Sequence, residues 1–448
     1  MSKPIFIKKK INNFKKIITV EGDKSLSIRF ALLASQAIGK SRAYNLPRSE
    51  DVLSTLNCLK KLGVQIKWDK KYKYCEIIGN GPNSYFYKNN LTLNFKNSGT
   101  AARLLSALLI NSPKKIRLIG DKSLSKRDMK RIINPLKEFG ATFYPKNKNT
   151  LPIYIQGSNF LRPINYQELK GSSQCKSSVM LAASFMVPGV TCLKCKKSRT
   201  HTEILFKHLK IPIKVRKTKN FDFIKITGKQ NFKSFKYTIP GDPSGSAFFV
   251  VLTLLSKNSY LIIKNVCANP YRIGYITILN KMGAKIKLKN TKIYKGEKIA
   301  DIHVQSQKSL KAINCPPRLN SSAIDEFLII FLAAAKAKGI SYFSQLNELQ
   351  LKESKRLDWG SKILNMIGIK TSLTGNSIKI YGKDNFKLNK SCEIKNYLKD
   401  HRVMAMSLIA GAVTSNEKNY WKIHNPESIK TSFPKFLKIF KQLGGKVY

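Results

Sequence analysis

Seven short segments carry the side chains best suited to chemistry. Gly22-Asp-Lys-Ser-Leu-Ser-Ile-Arg29 sets Lys24, Ser25 and Arg29 ahead of an apolar run beginning at Phe30. Asn97-Ser-Gly-Thr-Ala-Ala-Arg103 opens a second run, and Gly171-Ser-Ser-Gln-Cys-Lys-Ser177 a third. Gly120-Asp-Lys-Ser-Leu-Ser-Lys-Arg127 is an internal echo of the first segment. A helix N-terminus offers free N–H groups and a positive dipole end, so each of these four predicted helix starts suits an anion. Lysine supplies a point charge and arginine a planar fork for phosphate or carboxylate. Acids enter later, in Asp325-Glu326, in Leu351-Lys-Glu-Ser-Lys-Arg356, and in Asp400-His401-Arg402. A helix over 352–356 would put Lys352 and Arg356 on one face at i, i+4. Taken singly, each segment reads as a capped helix with solvated charges. Four cationic helix starts within the first half of the chain point instead to one polyanionic ligand.

Those segments need elements to hold them. A short pattern recurs, in which apolar residues at helical spacing lead to a glycine and then to an alternating, strand-like run. It occurs at Gly63, Gly140, Gly283, Gly368 and Gly444, with a degenerate copy at Lys210. A glycine in the left-handed conformation ends a helix, and alternation marks the strand that follows. Six copies spaced by 70 to 85 residues exceed the period of a solenoid repeat. They predict six similar α+β units. Two Gly-Asp segments, Gly22-Asp23 and Gly241-Asp242, divide the six into threes. The expected domains are 23–240, and 1–22 together with 241–448, with hinges near Gly22 and Gly241.

The chain has 448 residues, 42% of them hydrophobic, which supports real cores. Its formal charge is +57. A nucleic-acid binder would gather such charge in stripes with stacking aromatics. Here the excess is mostly lysine, is scattered over the whole length, and travels with Asn, Ile, Phe and Tyr. All five have A/T-rich codons, so the charge reads as genome composition rather than as a binding surface. Local clusters occur only at Lys8–Lys10 with Lys15–Lys16, and at Lys194–Arg199. No apolar run reaches the roughly 20 residues of a membrane span. No signal-like stretch is read at the N-terminus, so a cytoplasmic location is expected. The eight cysteines show a single CxxC, Cys192 and Cys195, and no zinc spacing. The five histidines form no metal-ligand spacing either, so neither metal nor cofactor is expected.

Taken together and in this order, the segments resemble the 5-enolpyruvylshikimate-3-phosphate synthases (3-phosphoshikimate 1-carboxyvinyltransferases), nearest to the bacterial class II branch. The resemblance rests on GDKSLSIR at 22–29, NSGTAAR at 97–103, SLSKRDM at 123–129, SSQCKS at 172–177 and SRTHTE at 198–203. It continues with PGDPSGSAF at 240–248, AIDEF at 323–327, LKESKRL at 351–357, DHRVMAM at 400–406 and TSFP at 431–434. It implies an α+β fold of two domains, each of three βαβαββ units, the inside-out α/β barrel of enolpyruvyl transferases. It also implies transfer of the enolpyruvyl group of phosphoenolpyruvate to the 5-hydroxyl of 3-phosphoshikimate, with release of phosphate, in aromatic amino acid biosynthesis. The implied partners are these two small molecules, on a monomeric chain.

By the same resemblance, Lys24, Ser25, Arg29, Ser172, Ser173, Gln174, Ser198, Arg199, Asp325 and Lys352 would hold 3-phosphoshikimate. Lys24, Asn97, Gly99, Thr100, Arg127, Gln174, Arg356, His401 and Arg402 would hold phosphoenolpyruvate. Asp325 would act as base at the 5-hydroxyl, and Glu353 with Lys24 would move the proton at C3. Hinge closure would bring the cations and acids of the two domains together. The chain departs from many relatives at Gln350, where they carry Arg, and at Lys355, where Asp is common. Thr431 stands where some relatives carry Lys. The nearest rival, UDP-N-acetylglucosamine 1-carboxyvinyltransferase, normally has a reactive Cys in the third segment, and Gly120 to Arg127 contains none.

Overall fold

A computed structural model describes residues 3–383 and 388–448. They fall into two units. One is Gly22–Ile239 with Tyr294–Glu297; the other comprises the residues up to Glu21, Pro240–Ile293 and Lys298–Tyr448. Tyr294–Glu297, which lies far along the chain, groups with the first of these.

The unit built on Gly22–Ile239 holds three four-stranded sheets of one topology. The orders are Lys236–Thr238, Ile38–Tyr44, Tyr74–Asn80, Gln65–Trp68; then Thr92–Asn94, Ile116–Ile119, Ile153–Gln156, Thr142–Tyr144; then Asn165–Glu168, Val190–Lys196, Phe221–Thr227, Ile213–Lys217. In each, the first pair is parallel and the other two are antiparallel. A parallel pair needs a crossover, and a helix supplies it. The first repeat borrows its opening strand from the far end of the unit, with Lys236 opposite Arg42.

The other unit follows the plan in two four-stranded sheets and one three-stranded sheet, and the N-terminus contributes to two of them. Lys15–Thr19 pairs parallel with Tyr260–Cys267, opening the fourth repeat. Ile5–Ile7 pairs antiparallel with Trp421–Ile423, closing the sixth. The N-terminal segment therefore supplies two strands to two sheets.

Each repeat has one helix buried on all sides. Phe327–Ala335 and Pro243–Leu255 have every residue buried. A helix that is apolar all round can only be central, whereas an amphipathic one covers a surface. In one unit the buried helices Pro243–Leu255, Phe327–Ala335 and His401–Thr414 pack on one another. In the other, Lys24–Gln36 packs on Gly99–Ser106, which packs on Ser173–Leu181. The sheets lie outside the helices and show alternating burial, as in Val190–Lys196.

All six repeat positions have positive φ, from +58° at Lys210 in the degenerate copy to +120° at Gly140. Gly22 and Gly241 are glycines for a different reason, namely lack of room. A Cβ on Gly22 would lie 2.3 Å from the Asn45 carbonyl, and one on Gly241 would lie 2.8 Å from a Val20 methyl.

Candidate active site

Central helices start with capping side chains, and these starts carry the candidate residues. Asp23 accepts from the Leu26 amide at 2.7 Å, Ser98 from Ala101 at 3.3 Å and Ser172 from Cys175 at 3.2 Å. Each cap satisfies one orphan donor of its helix start. One predicted start differs: 120–127 is a loop with a single 3-10 turn, Leu124–Lys126. Asp121 accepts the Leu124 amide at 2.8 Å and closes that turn, so the helix begins only at Lys130.

In the Gly22–Ile239 unit the predicted residues form four groups joined by ion pairs or hydrogen bonds. Lys24 meets Asp51 at 2.8 Å. Arg29 is buried and donates to the hydroxyls of Thr202 and Ser177, both at 2.8 Å, and to the Ser25 carbonyl at 3.1 Å. Gln174 accepts from Arg103 at 2.8 Å and donates to Thr100 at 3.0 Å, while Arg103 also donates to the Asp128 carbonyl. Arg127 donates to Asn97 at 2.6 Å, and Asn97 to Asp121 at 2.7 Å. Gly99 opens its helix between these groups, and a Cβ there would lie 3.0 Å from Arg103 Nη1 and 3.2 Å from Arg127 Nη1. Ser173 is the first residue of its helix. Ser198 and Arg199 lie in the loop before helix His201–His208.

In the other unit the acids surround one arginine. Arg356 is 1% exposed. Its Nε and Nη2 reach the two Asp400 oxygens at 2.9 and 3.2 Å. Glu353 also bonds Nη2. Asp325 Oδ1 lies 3.6 Å from Nη1 and 3.3 Å from Lys352 Nζ. Burial opposes the Arg356 charge, but Asp400, Glu353 and Asp325 outweigh it and hold the guanidinium above its ordinary range. Arg402 donates to the Asp325 carbonyl at 2.7 Å, and its amide to Asp400 at 2.9 Å. The His401 ring packs edge-on against Phe433. The expected helical face for Lys352 and Arg356 is absent, because the helix begins at Arg356. The two cations meet through Asp325 instead. Gln350 bonds Asp358 at 2.9 Å, and Lys355 is exposed.

The family model of EPSP synthase (3-phosphoshikimate 1-carboxyvinyltransferase) matches residues 8–440. The chain belongs to the EPSP synthase family. The 3-phosphoshikimate 1-carboxyvinyltransferase of Ruthia magnifica subsp. Calyptogena magnifica is 38% identical, covering 98% of both chains. That of Petrotoga mobilis is 36% identical, over 95% of this chain and 96% of the relative. The solved EPSP synthase of Acinetobacter baumannii superposes with a TM-score of 0.85 at 33% identity, covering 100% of this chain and 99% of that one. The fold is accordingly the α+β, two-domain enolpyruvyl transferase fold. With family membership goes enolpyruvyl transfer from phosphoenolpyruvate to 3-phosphoshikimate. Among the described residues no helix is long and apolar enough to cross a membrane.

Several residues tied into these groups were not singled out from sequence as site residues. Arg103 and Asp400 lie inside quoted motifs, and a residue-by-residue reading of NSGTAAR and DHR would have reached them. Ser177 and Thr202 likewise lie inside SSQCKS and SRTHTE, whereas Asp51 lies in no quoted motif and its partner Lys24 is far away in sequence. Asp242 adds a further ion pair, with Arg272 at 3.3 Å.

Proposed function

We propose that the chain performs this transfer by addition and elimination through a tetrahedral intermediate, with the residues in the following roles. Lys24, Ser25, Arg29, Ser172, Ser173, Gln174, Ser198, Arg199, Asp325 and Lys352 hold 3-phosphoshikimate. Lys24, Asn97, Gly99, Thr100, Arg127, Gln174, Arg356, His401 and Arg402 hold phosphoenolpyruvate. Asp325 takes the proton of the 5-hydroxyl as that oxygen bonds to C2 of phosphoenolpyruvate. Glu353, with Lys24, delivers a proton to C3. The C2–O bond to phosphate then breaks, C3 returns its proton, and inorganic phosphate leaves.

The observation that carries this reading is the ion cluster around Arg356. Two carboxylates, Asp325 and Glu353, are held beside a buried cation, yet each keeps about one seventh of its side chain exposed (15% and 14%). That is the disposition of acid and base groups held in place but still able to exchange protons with a ligand. The cations near them suit charge developing on the intermediate. The domain division at 22–23 and 240–241, with hinges near Gly22 and Gly241, belongs to the same proposal. So do a monomeric chain and a cytoplasmic setting, the latter supported by eight free thiols.

The test is phosphate release from phosphoenolpyruvate by the purified protein, with 3-phosphoshikimate, with UDP-N-acetylglucosamine, and with no acceptor. Release that requires 3-phosphoshikimate supports the reading. Release with the nucleotide sugar, or with neither acceptor, overturns it.

A further inference from the structure

The unit built on Gly22–Ile239 contains a fully buried lysine that the proposed chemistry does not use. Lys176 sits in the first turns of helix Ser173–Leu181 and is 0% exposed. Its Nζ lies 2.6 Å from Glu203 Oε1 and 3.4 Å from the Ser198 carbonyl. Its charge also acts on Glu168, a second buried carboxylate. The ion pair of Lys176 is with Glu203, and Glu168 is a second buried acid of the same repeat.

Each acid pins a different turn. The Glu168 carboxylate accepts the Lys170 amide at 3.0 Å, two residues before Ser172. Glu203 stands in the first turn of helix His201–His208, directly after the Ser198–Arg199 loop. The two turns are neighbours: a Cβ on Gly171 would lie 3.8 Å from the Lys197 carbonyl. One residue along, Ser177 and Thr202 bond each other at 2.7 Å and both hold Arg29. Two adjacent clamps, one ionic and one hydroxyl, therefore tie the Ser172 turn to the Ser198 loop. Ser198 is 5% exposed, and its Oγ has no hydrogen-bond partner among the described residues.

A buried ion pair contributes little net stability, because desolvation offsets its attraction, and an apolar pair of similar volume often does as well. Stability alone gives no reason to place a lysine here. Register does, because an ion pair with a carbonyl contact fixes two loops at one separation.

We propose that Lys176, through Glu203 and the Ser198 carbonyl, is a positioning residue that sets the spacing of the Ser172–Ser173 and Ser198–Arg199 turns for the 3-phosphate of the acceptor. This rests on the assignment of those turns to 3-phosphoshikimate. It makes Lys176 a determinant of preference for the phosphorylated acceptor rather than of the transfer chemistry.

The experiment measures binding of 3-phosphoshikimate and of shikimate by calorimetry without phosphoenolpyruvate, for the parent and for Lys176→Met/Glu203→Gln. The double variant leaves no unpaired charge on either of the two substituted residues. The expected result is at least a tenfold loss of affinity for 3-phosphoshikimate, with shikimate affinity changed less than twofold and the KM for phosphoenolpyruvate unchanged. Glu203→Gln alone keeps an acceptor for Lys176 and serves if the double variant does not fold; its expected loss is threefold or more, again confined to the phosphorylated ligand. Equal losses for both acceptors, or parental binding of 3-phosphoshikimate in a folded variant, would overturn the proposal. A parent that binds no 3-phosphoshikimate would instead overturn the functional reading beneath it.

Discussion

Arg356 and Asp400 meet in a two-pronged ion pair, Nε to Oδ2 at 2.9 Å and Nη2 to Oδ1 at 3.2 Å, with both side chains buried. Asp400 does a second job, since Oδ1 also accepts the Arg402 amide at the start of helix His401–Thr414. One carboxylate therefore orients two of the arginines proposed to hold phosphoenolpyruvate. Asp400→Ala should cost about 1.5–3 kcal/mol for the lost charge-assisted bonds, since Glu353 and Asp325 still flank Arg356. Loss of the cap adds about 1 kcal/mol. Urea unfolding measures both. Asp400→Asn keeps an acceptor for the amide and should lose visibly less.

Asp325→Asn and Glu353→Gln preserve shape and remove the proton acceptor or donor. Each should lower kcat by roughly 100- to 10,000-fold, the usual contribution of a general acid or base. The melting temperature should stay near that of the parent, because Asp400 keeps its two-pronged pair with Arg356 and each amide keeps an oxygen acceptor. A kcat within threefold of the parent in either variant would remove that residue from its role.

Gly99→Ala places a methyl group 3.0 Å from Arg103 Nη1 and 3.2 Å from Arg127 Nη1. The guanidinium ends can yield by a few tenths of an ångström, so the fold survives. The displacement falls on Arg127 and on the Arg103–Gln174 bond. A shift worth about 1.4 kcal/mol corresponds to a tenfold change. The KM for phosphoenolpyruvate should rise by roughly that factor, measured in steady-state assays at saturating 3-phosphoshikimate.

Cys192 is the one exposed cysteine, and the other seven are buried. Burial pushes the thiols of Cys58, Cys75, Cys175 and Cys195 up to about 12, and those of Cys315 and Cys392 to about 11. The thiolate is the reactive form. At pH 8 a thiol reagent should therefore modify one group per chain quickly, and Cys192→Ser should abolish that phase. Any fast-reacting group in the Cys192→Ser variant would contradict the burial.

Glu21 accepts the Lys435 amide at 2.7 Å. Burial raises its carboxyl above the ordinary 4.5, with the Lys435 amide and charge opposing and Asp242 adding to the rise. An acid raised in the folded state contributes its stability below the unfolded value and loses it as pH climbs through the folded one. Glu21→Gln keeps an acceptor and removes the charge. It should be more stable than the parent at pH 7, with the difference fading below about pH 4.5. Denaturant midpoints at the two pH values check the sign.

The amino-acid sequence by itself determined the sixfold repeat, because a helix end followed by a strand is a local signal written in glycine and alternation. It also determined where the polar starts of the central helices lie, and through the resemblance they carry, the chemistry. Tertiary structure alone decided which strand completes which sheet: Lys236–Thr238, Lys15–Thr19 and Ile5–Ile7 join partners that no local pattern announces. It alone showed that 120–127 is a turn and that Lys352 and Arg356 meet across Asp325 rather than along a helix. It alone brought Asp51 to Lys24, Thr202 to Arg29 and Glu203 to Lys176. The physical reason is common to all of these. Helix propensity, caps and glycine conformations act over a few residues and can be read in order. Ion pairs and strand pairing join positions far apart in the chain, and only the packing of the buried helices sets which of them meet.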